Sequence, residues 1–247
     1  MSKIIIINCQ FSTLDKDFFS RAEMCLSPSE NQIFNALQKI RRQQQYLAGH
    51  YLLRIGLTQL LGESDDFWDI SQEVGAAPYL LNPPNKQQVS LSISHSKDQL
   101  VCTVSINNPV GVDIENHCRD RPFIEFSEQY LSDLELFKLK ALQGSERKAY
   151  FYALWTVMES GAKAQGQGLD QEIFDGTWYS ELDSAPENYS LNKGGYFTYT
   201  TDLNDFTISL ATKWSLVELP VISQFNTGTL HELDIEFSRG YYLLDQV

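Results

Sequence analysis

The run Val110-Gly-Val-Asp-Ile-Glu115 constrains the fold more than any other stretch of this chain. Its β-branched residues suit a strand, and side chains in a strand alternate between two faces, so Asp113 and Glu115 project from one face while Val112 and Ile114 face the other. Two carboxylates on one face repel unless a cation or a proton lies between them. Some forty residues later, Trp155–Leu169 reads as the end of a helix in which Glu159 and Lys163, four apart, stand one above the other. Gly166 and Gly168 suit its termination. Three carboxylates and a lysine make a hard-cation site beside a donor for a phosphate oxygen.

Around these blocks the periodicities alternate between helix and strand. Lys3–Asn8 reads as a strand, 28–39 and 42–62 as helices, and Asp69–Gln72, Val89–Ser94 and Leu100–Ile106 as strands; Val89, Leu91 and Ile93 alternate with Ser90, Ser92 and Ser94. After the breaker Asn107-Asn108-Pro109 come strand 110–115, helical patterns at 122–142 and 146–165, and strands near 172–180, 194–201 and 206–218. The class expected is α+β, with an N-terminal subdomain at 1–108, a C-terminal subdomain carrying the cation site at 109–219, and a tail at 220–247 with no assigned role.

Charge is distributed unevenly. Residues 1–109 hold 9 Lys+Arg against 10 Asp+Glu, whereas residues 110–247 hold 10 against 22. So acidic a chain is a poor nucleic-acid binder. No stretch of about 20 apolar residues suggests a membrane span, and the Ile4–Ile7 run is too short for a secretory signal. Cys9, Cys25, Cys102 and Cys118 lack a CxxC pairing, so reduced thiols in a cytoplasmic protein are expected.

Taken in order, Gly75-Ala-Ala-Pro78, Ser92-Ile-Ser-His-Ser96, Gly111-Val-Asp-Ile-Glu115 and Trp155-Thr-Val-Met-Glu-Ser-Gly-Ala-Lys163 resemble the four blocks of the 4′-phosphopantetheinyl transferases of the surfactin-synthetase-activating type. The resemblance implies two similar α+β subdomains related by a pseudo-twofold, with the active site in the cleft between them. It implies transfer of 4′-phosphopantetheine from coenzyme A to a serine of an acyl or peptidyl carrier protein of fatty-acid, polyketide or nonribosomal peptide assembly, with release of 3′,5′-ADP. By the same resemblance Asp113, Glu115 and Glu159 hold Mg²⁺, Glu159 is also the base and Lys163 faces the leaving phosphate. Ser94, His95 and Pro78 border the coenzyme, and Arg41, Arg42 and Arg54 approach its 3′-phosphate and adenine end. Where the resemblance implies basic residues the chain carries Met158, Ala77, Glu30 and Ile33, so phosphate recognition is expected to be weaker or altered. A second expectation from another class is a non-catalytic, carrier-binding or scaffolding homologue.

Overall fold

The computed structural model describes residues 3–73, 76–84, 87–118, 122–166, 176–180, 196–214, 216, 218–226, 228–233, 235, 237 and 239–245, with the backbone alone described for 176–180 and 239–245. Within them the elements run β1 (Lys3–Gln10), α1 (Lys16–Met24), α2 (Pro28–Ala36), α3 (Ile40–Leu61), β2 (Ile70–Ser71), β3 (Tyr79–Leu80), β4 (Val89–Ser96), β5 (Gln99–Ile106) and β6 (Val110–Asn116). There follow α4 (Phe123–Ser127), α5 (Asp133–Ala141), α6 (Gly144–Ala164), β7 (Gly176–Ser180), β8 (Phe197–Leu203), β9 (Phe206–Thr212), β10 (Ile222–Asn226), β11 (Thr229–Glu232) and β12 (Arg239–Asp245).

Two five-stranded sheets carry this α+β architecture, in the orders β11-β10-β1-β5-β4 and β6-β9-β8-β12-β7. Each half repeats one topology. A first strand (β1 or β6) leads through helices into a long helix (α3 or α6), then into a hairpin (β4–β5 or β8–β9) whose second strand pairs antiparallel with the first. The residues after 220 are divided between the sheets: β10 adds in parallel to β1, and β12 lies between β7 and β8.

Three packed clusters follow from the alternation. On one face of the first sheet, Ile7, Cys9, Leu91, Leu100, Cys102 and Val104 meet Leu52, Leu53 and Leu57 of α3. Between the sheets lie Ile6, Val101 and Ile222 from the first, against Val112, Ile114, Ile208 and Leu210 from the second. The outer face of α6 buries Phe151, Trp155 and Met158 against Leu139 of α5, with Phe123 and Phe126 of α4 beside them. The helical pattern at 122–142 is divided because Ser132 caps a new helix: its Oγ accepts from Glu135 N while the Glu135 carboxylate accepts from Ser132 N, a reciprocal capping box. The additional helix α1 begins at Asp15, whose carboxylate accepts from Phe18 N at 2.8 Å.

Asn107 takes up a φ of 60° in the three-residue link from β5 to β6, a left-handed conformation that asparagine tolerates. Asn108 closes the link by accepting from Trp214 N and donating to Trp214 O. This short link sets β6, the edge of the second sheet, beside β4, the edge of the first.

Candidate active site

The junction of β4 and β6 is made by side chains. An edge strand presents unpaired N–H groups that need partners, and the serines of β4 supply them. Val110 N donates to Ser90 Oγ at 3.0 Å, Val112 N to Ser92 Oγ at 3.0 Å and Asn116 N to Ser96 Oγ at 3.2 Å. The apolar half of β4 faces α3, so the period-two reading of Val89–Ser94 describes a strand buried on one side and joined to the other sheet on its polar side.

On β6 the opposite alternation places Gly111, Asp113 and Glu115 toward α6. A Cβ on Gly111 would lie 2.0 Å from Ser160 O and 2.4 Å from Ala164 N, so the helix backbone rests directly on the strand. That approach lets Lys163 reach Asp113: Nζ donates to Oδ1 at 2.6 Å and to Val112 O at 3.3 Å. Ser94 Oγ donates to the same Oδ1 at 2.6 Å, and Ser96 Oγ donates to Glu115 Oε2 at 2.9 Å. Asp113 is only 4% exposed, and its Oδ2 is buried with no hydrogen-bond partner. Burial pushes the Asp113 carboxyl above its ordinary range, against the pull of the Lys163 charge and the hydrogen bonds from Lys163 and Ser94. Glu159 stands one helical turn before Lys163, half-buried on α6. Among the described residues no group of three or more His, Cys, Asp or Glu side chains is gathered closely enough to hold a metal ion by itself.

His95 lies at the end of β4, where Arg42 Nη1 donates to its Nε2 at 2.9 Å and to Gln45 Oε1 at 3.2 Å. Burial lowers the imidazole's pKa, and the charges of Arg42, Lys163 and Arg41 lower it further. Since arginine can only donate, Nε2 is the acceptor and the ring's proton sits on Nδ1. Both His95 and Arg42 line a cavity of about 630 Å³ together with Ile33, Leu37, Gln45, Tyr46, Gln72 and Ile93. Arg41, exposed, donates to Lys97 O at 2.7 Å.

Other expected site residues lie elsewhere. Arg54 is fully buried and spans Glu30: Nη1 donates to Oε1 at 2.9 Å and Nη2 to Oε2 at 2.5 Å, while His50 Nδ1 lies 2.6 Å from Oε1. A guanidinium committed to that buried carboxylate is not available to a phosphate in the cavity. Burial would raise the Glu30 pKa, but hydrogen bonds from His50 and Arg54 and the charge of Arg54 hold it at about 2. Glu30 is thus a core anion joining α2 to α3. Met158 is 1% exposed within the aromatic cluster of α6; a lysine there would be buried, and its absence removes no cation from the junction. Pro78 is buried, Ala77 half-buried, and Val74, Gly75 and Gly168 lie outside the described residues. The residues missed in the sequence are Gly111, Ser96, Glu30 and His50. A serine at every second position from 90 to 96 was a visible signal for the second of these; the Glu30 pairing had none, because its partners lie 20 and 24 residues away.

A family model described as the 4′-phosphopantetheinyl transferase superfamily matches residues 109–211. The chain is 26% identical over 180 residues to the 4′-phosphopantetheinyl transferase gsp of Aneurinibacillus migulanus, covering 73% of this chain and 72% of that protein. It is 30% identical over 124 residues to a 4′-phosphopantetheinyl transferase of Bacillus subtilis, covering 50% and 52%, and 33% identical over 87 residues to Sfp of Bacillus subtilis strain 168, covering 35% and 37%. The chain thus spans about half the length or less of the two Bacillus subtilis relatives.

Proposed function

We propose, for a chain that belongs to the 4′-phosphopantetheinyl transferase superfamily, that it moves 4′-phosphopantetheine from coenzyme A to a serine hydroxyl of an acyl or peptidyl carrier protein. The serine oxygen bonds to the β-phosphorus of the diphosphate, the bridging P–O bond breaks, and 3′,5′-ADP leaves. One observation carries this reading: the buried Asp113 carboxylate is shared by Ser94 of β4 and Lys163 of α6, yet keeps one oxygen without a partner at the meeting point of the two halves.

That orphaned oxygen and an all-carboxylate donor set fit Mg²⁺, which binds through few carboxylates and completes its shell with water and phosphate oxygens; a closed protein cage is not required. Asp113, Glu115 and Glu159 would hold the ion, which when bound would neutralise diphosphate charge. Lys163, tethered to Asp113, then meets the negative charge gathering on the departing phosphate. His95 offers its Nδ1–H to a phosphate oxygen while Arg42 secures the opposite nitrogen. Glu159 takes the serine proton. The cavity bordered by Arg42, Gln45 and Tyr46 suits the nucleotide end.

In this reading residues 1–108 and 109–219 form the two sides of the cleft, and 220–247 tie them together by contributing strands to both sheets. Four free cysteines suit a reducing cytoplasm. No described helix is long and apolar enough to cross a membrane, and the acidic charge disfavours nucleic acid. The test is mass spectrometry of an apo carrier protein incubated with coenzyme A, Mg²⁺ and this chain. A gain of about 340 Da, the mass of the transferred group, that disappears in Asp113→Ala or Glu159→Ala and on chelation supports the reading. No gain with several apo carriers, or a gain that survives all three treatments, overturns it.

A further inference from the structure

The β4 serines divide into two pairs with different work. Ser90 and Ser92 accept N–H groups of the β6 backbone. At the next two steps the hydroxyl proton goes to a carboxylate, Ser94 to Asp113 and Ser96 to Glu115. A serine has one proton to donate, so these two protons are committed. Ser96 is also fixed from behind, since its Oγ accepts from Asn116 N at 3.2 Å while donating to Glu115; a hydroxyl held at both ends cannot rotate. Ser94 and Lys163 both occupy Oδ1 of Asp113, which fixes the carboxylate plane and leaves the buried Oδ2 as its uncommitted atom.

From this geometry we infer that Ser94 and Ser96 are positioning residues for the cation site. They aim Asp113 and Glu115 from the opposite side of the cleft, so cation affinity depends on a strand that contributes none of the carboxylates. The inference rests on the metal reading above. It reaches beyond the family match, which starts at residue 109 and includes the carboxylates without the serines. Groups that orient metal ligands by hydrogen bonding typically change metal affinity by about 10–100-fold when removed.

The experiment is titration of Mn²⁺ into the intact protein with coenzyme A present, following free Mn²⁺ by electron paramagnetic resonance and correcting for coenzyme A alone. Ser94→Ala and Ser96→Ala are each expected to weaken Mn²⁺ binding by about 10-fold or more, and Ser96→Thr, which keeps the hydroxyl, to recover most of it. Ser92→Ala is the control: it loses a bond to Val112 N, lowers the melting temperature, and leaves Mn²⁺ affinity within about 2-fold because it touches no carboxylate. Wild-type affinity in both Ser94→Ala and Ser96→Ala overturns the inference, as does an equal loss in Ser92→Ala, which would mean that the ladder acts only through folding. If the wild-type protein itself binds no Mn²⁺, the metal reading falls and the positioning role falls with it.

Discussion

Gly111→Ala tests how the site is assembled, because it alters no group that could touch substrate. The added methyl carbon would lie 2.0 Å from Ser160 O, 2.4 Å from Ala164 N and 3.0 Å from the Lys163 carbonyl carbon, all of them backbone atoms of α6. Carbon atoms pack comfortably at about 3.5–4.0 Å, so relief requires α6 to retreat from β6 by at least about 1 Å. The helix cannot flex locally, since its far side is packed against Leu139 and the aromatic cluster and Thr156 bonds to Ser209 of β9 at 2.6 Å. Overpacking of this kind costs about 1–3 kcal/mol or more. Function should suffer further: a 1 Å retreat stretches the 2.6 Å contact between Lys163 and Asp113 beyond hydrogen-bond length, and misplacement of about 1 Å can cost about 10²-fold in rate. The assay pairs urea unfolding with steady-state transfer to an apo carrier protein. Gly62→Ala serves as a comparison, because Gly62 has a φ of 88° at the end of α3 and nothing within 4 Å of an added Cβ; it should lose about 1 kcal/mol of stability and no activity. Gly111→Ala with wild-type turnover and a stability loss no larger than that of Gly62→Ala would refute the idea that the direct seat of α6 on β6 aligns the site.

Three further outcomes follow from the buried charges. Glu30 is held at about 2 against an ordinary 4.5, so the unfolded chain binds its proton more tightly; the stability gained is complete above about pH 4.5 and is lost as pH falls toward 2, a loss on the order of 2 kcal/mol by pH 3 in urea unfolding. Glu30→Gln should be less stable at neutral pH by about 3–5 kcal/mol, because Arg54 loses its buried counterion, and should lack this portion of the acid dependence; parallel pH profiles for the two proteins would count against the assignment. In NMR titration His95 should titrate below its ordinary 6.5, with Arg42→Gln moving it upward but not fully back, since burial is the larger cause; an unchanged value in the variant would show that the Arg42 contact is not formed in solution. Met158→Lys should destabilise by about 3–5 kcal/mol through an uncompensated charge in the α6 cluster without tightening coenzyme A binding, and calorimetry showing tighter, salt-sensitive binding would return position 158 to the phosphate site.

Much of the α+β order was legible in the chain because local physics dictates it. Period-two runs at 89–94 and 110–115 and the helical repeat ending near Lys163 reflect which faces must leave water, and that requirement is written in consecutive residues. The same alternation assigned Val112 and Ile114 to one face and Asp113 to the other, as the packing between the sheets and against α6 shows. Tertiary structure decided what those faces meet. Nothing local in Ser96 indicates that its proton belongs to Glu115, and nothing in Gly111 reveals a helix backbone 49 residues later resting where a Cβ would be. Arg54 and Arg42 are both arginines of one helix, yet one is closed around Glu30 in the core and the other opens on the cavity beside His95. Residues 220–247 carried no reading because strands added to sheets far back in the chain obtain their partners, and hence their stability, only after those sheets exist. Sequence specifies a residue's chemistry and the face it must present, while the neighbour that gives that chemistry a use is fixed by long-range closure, a property of the folded chain as a whole.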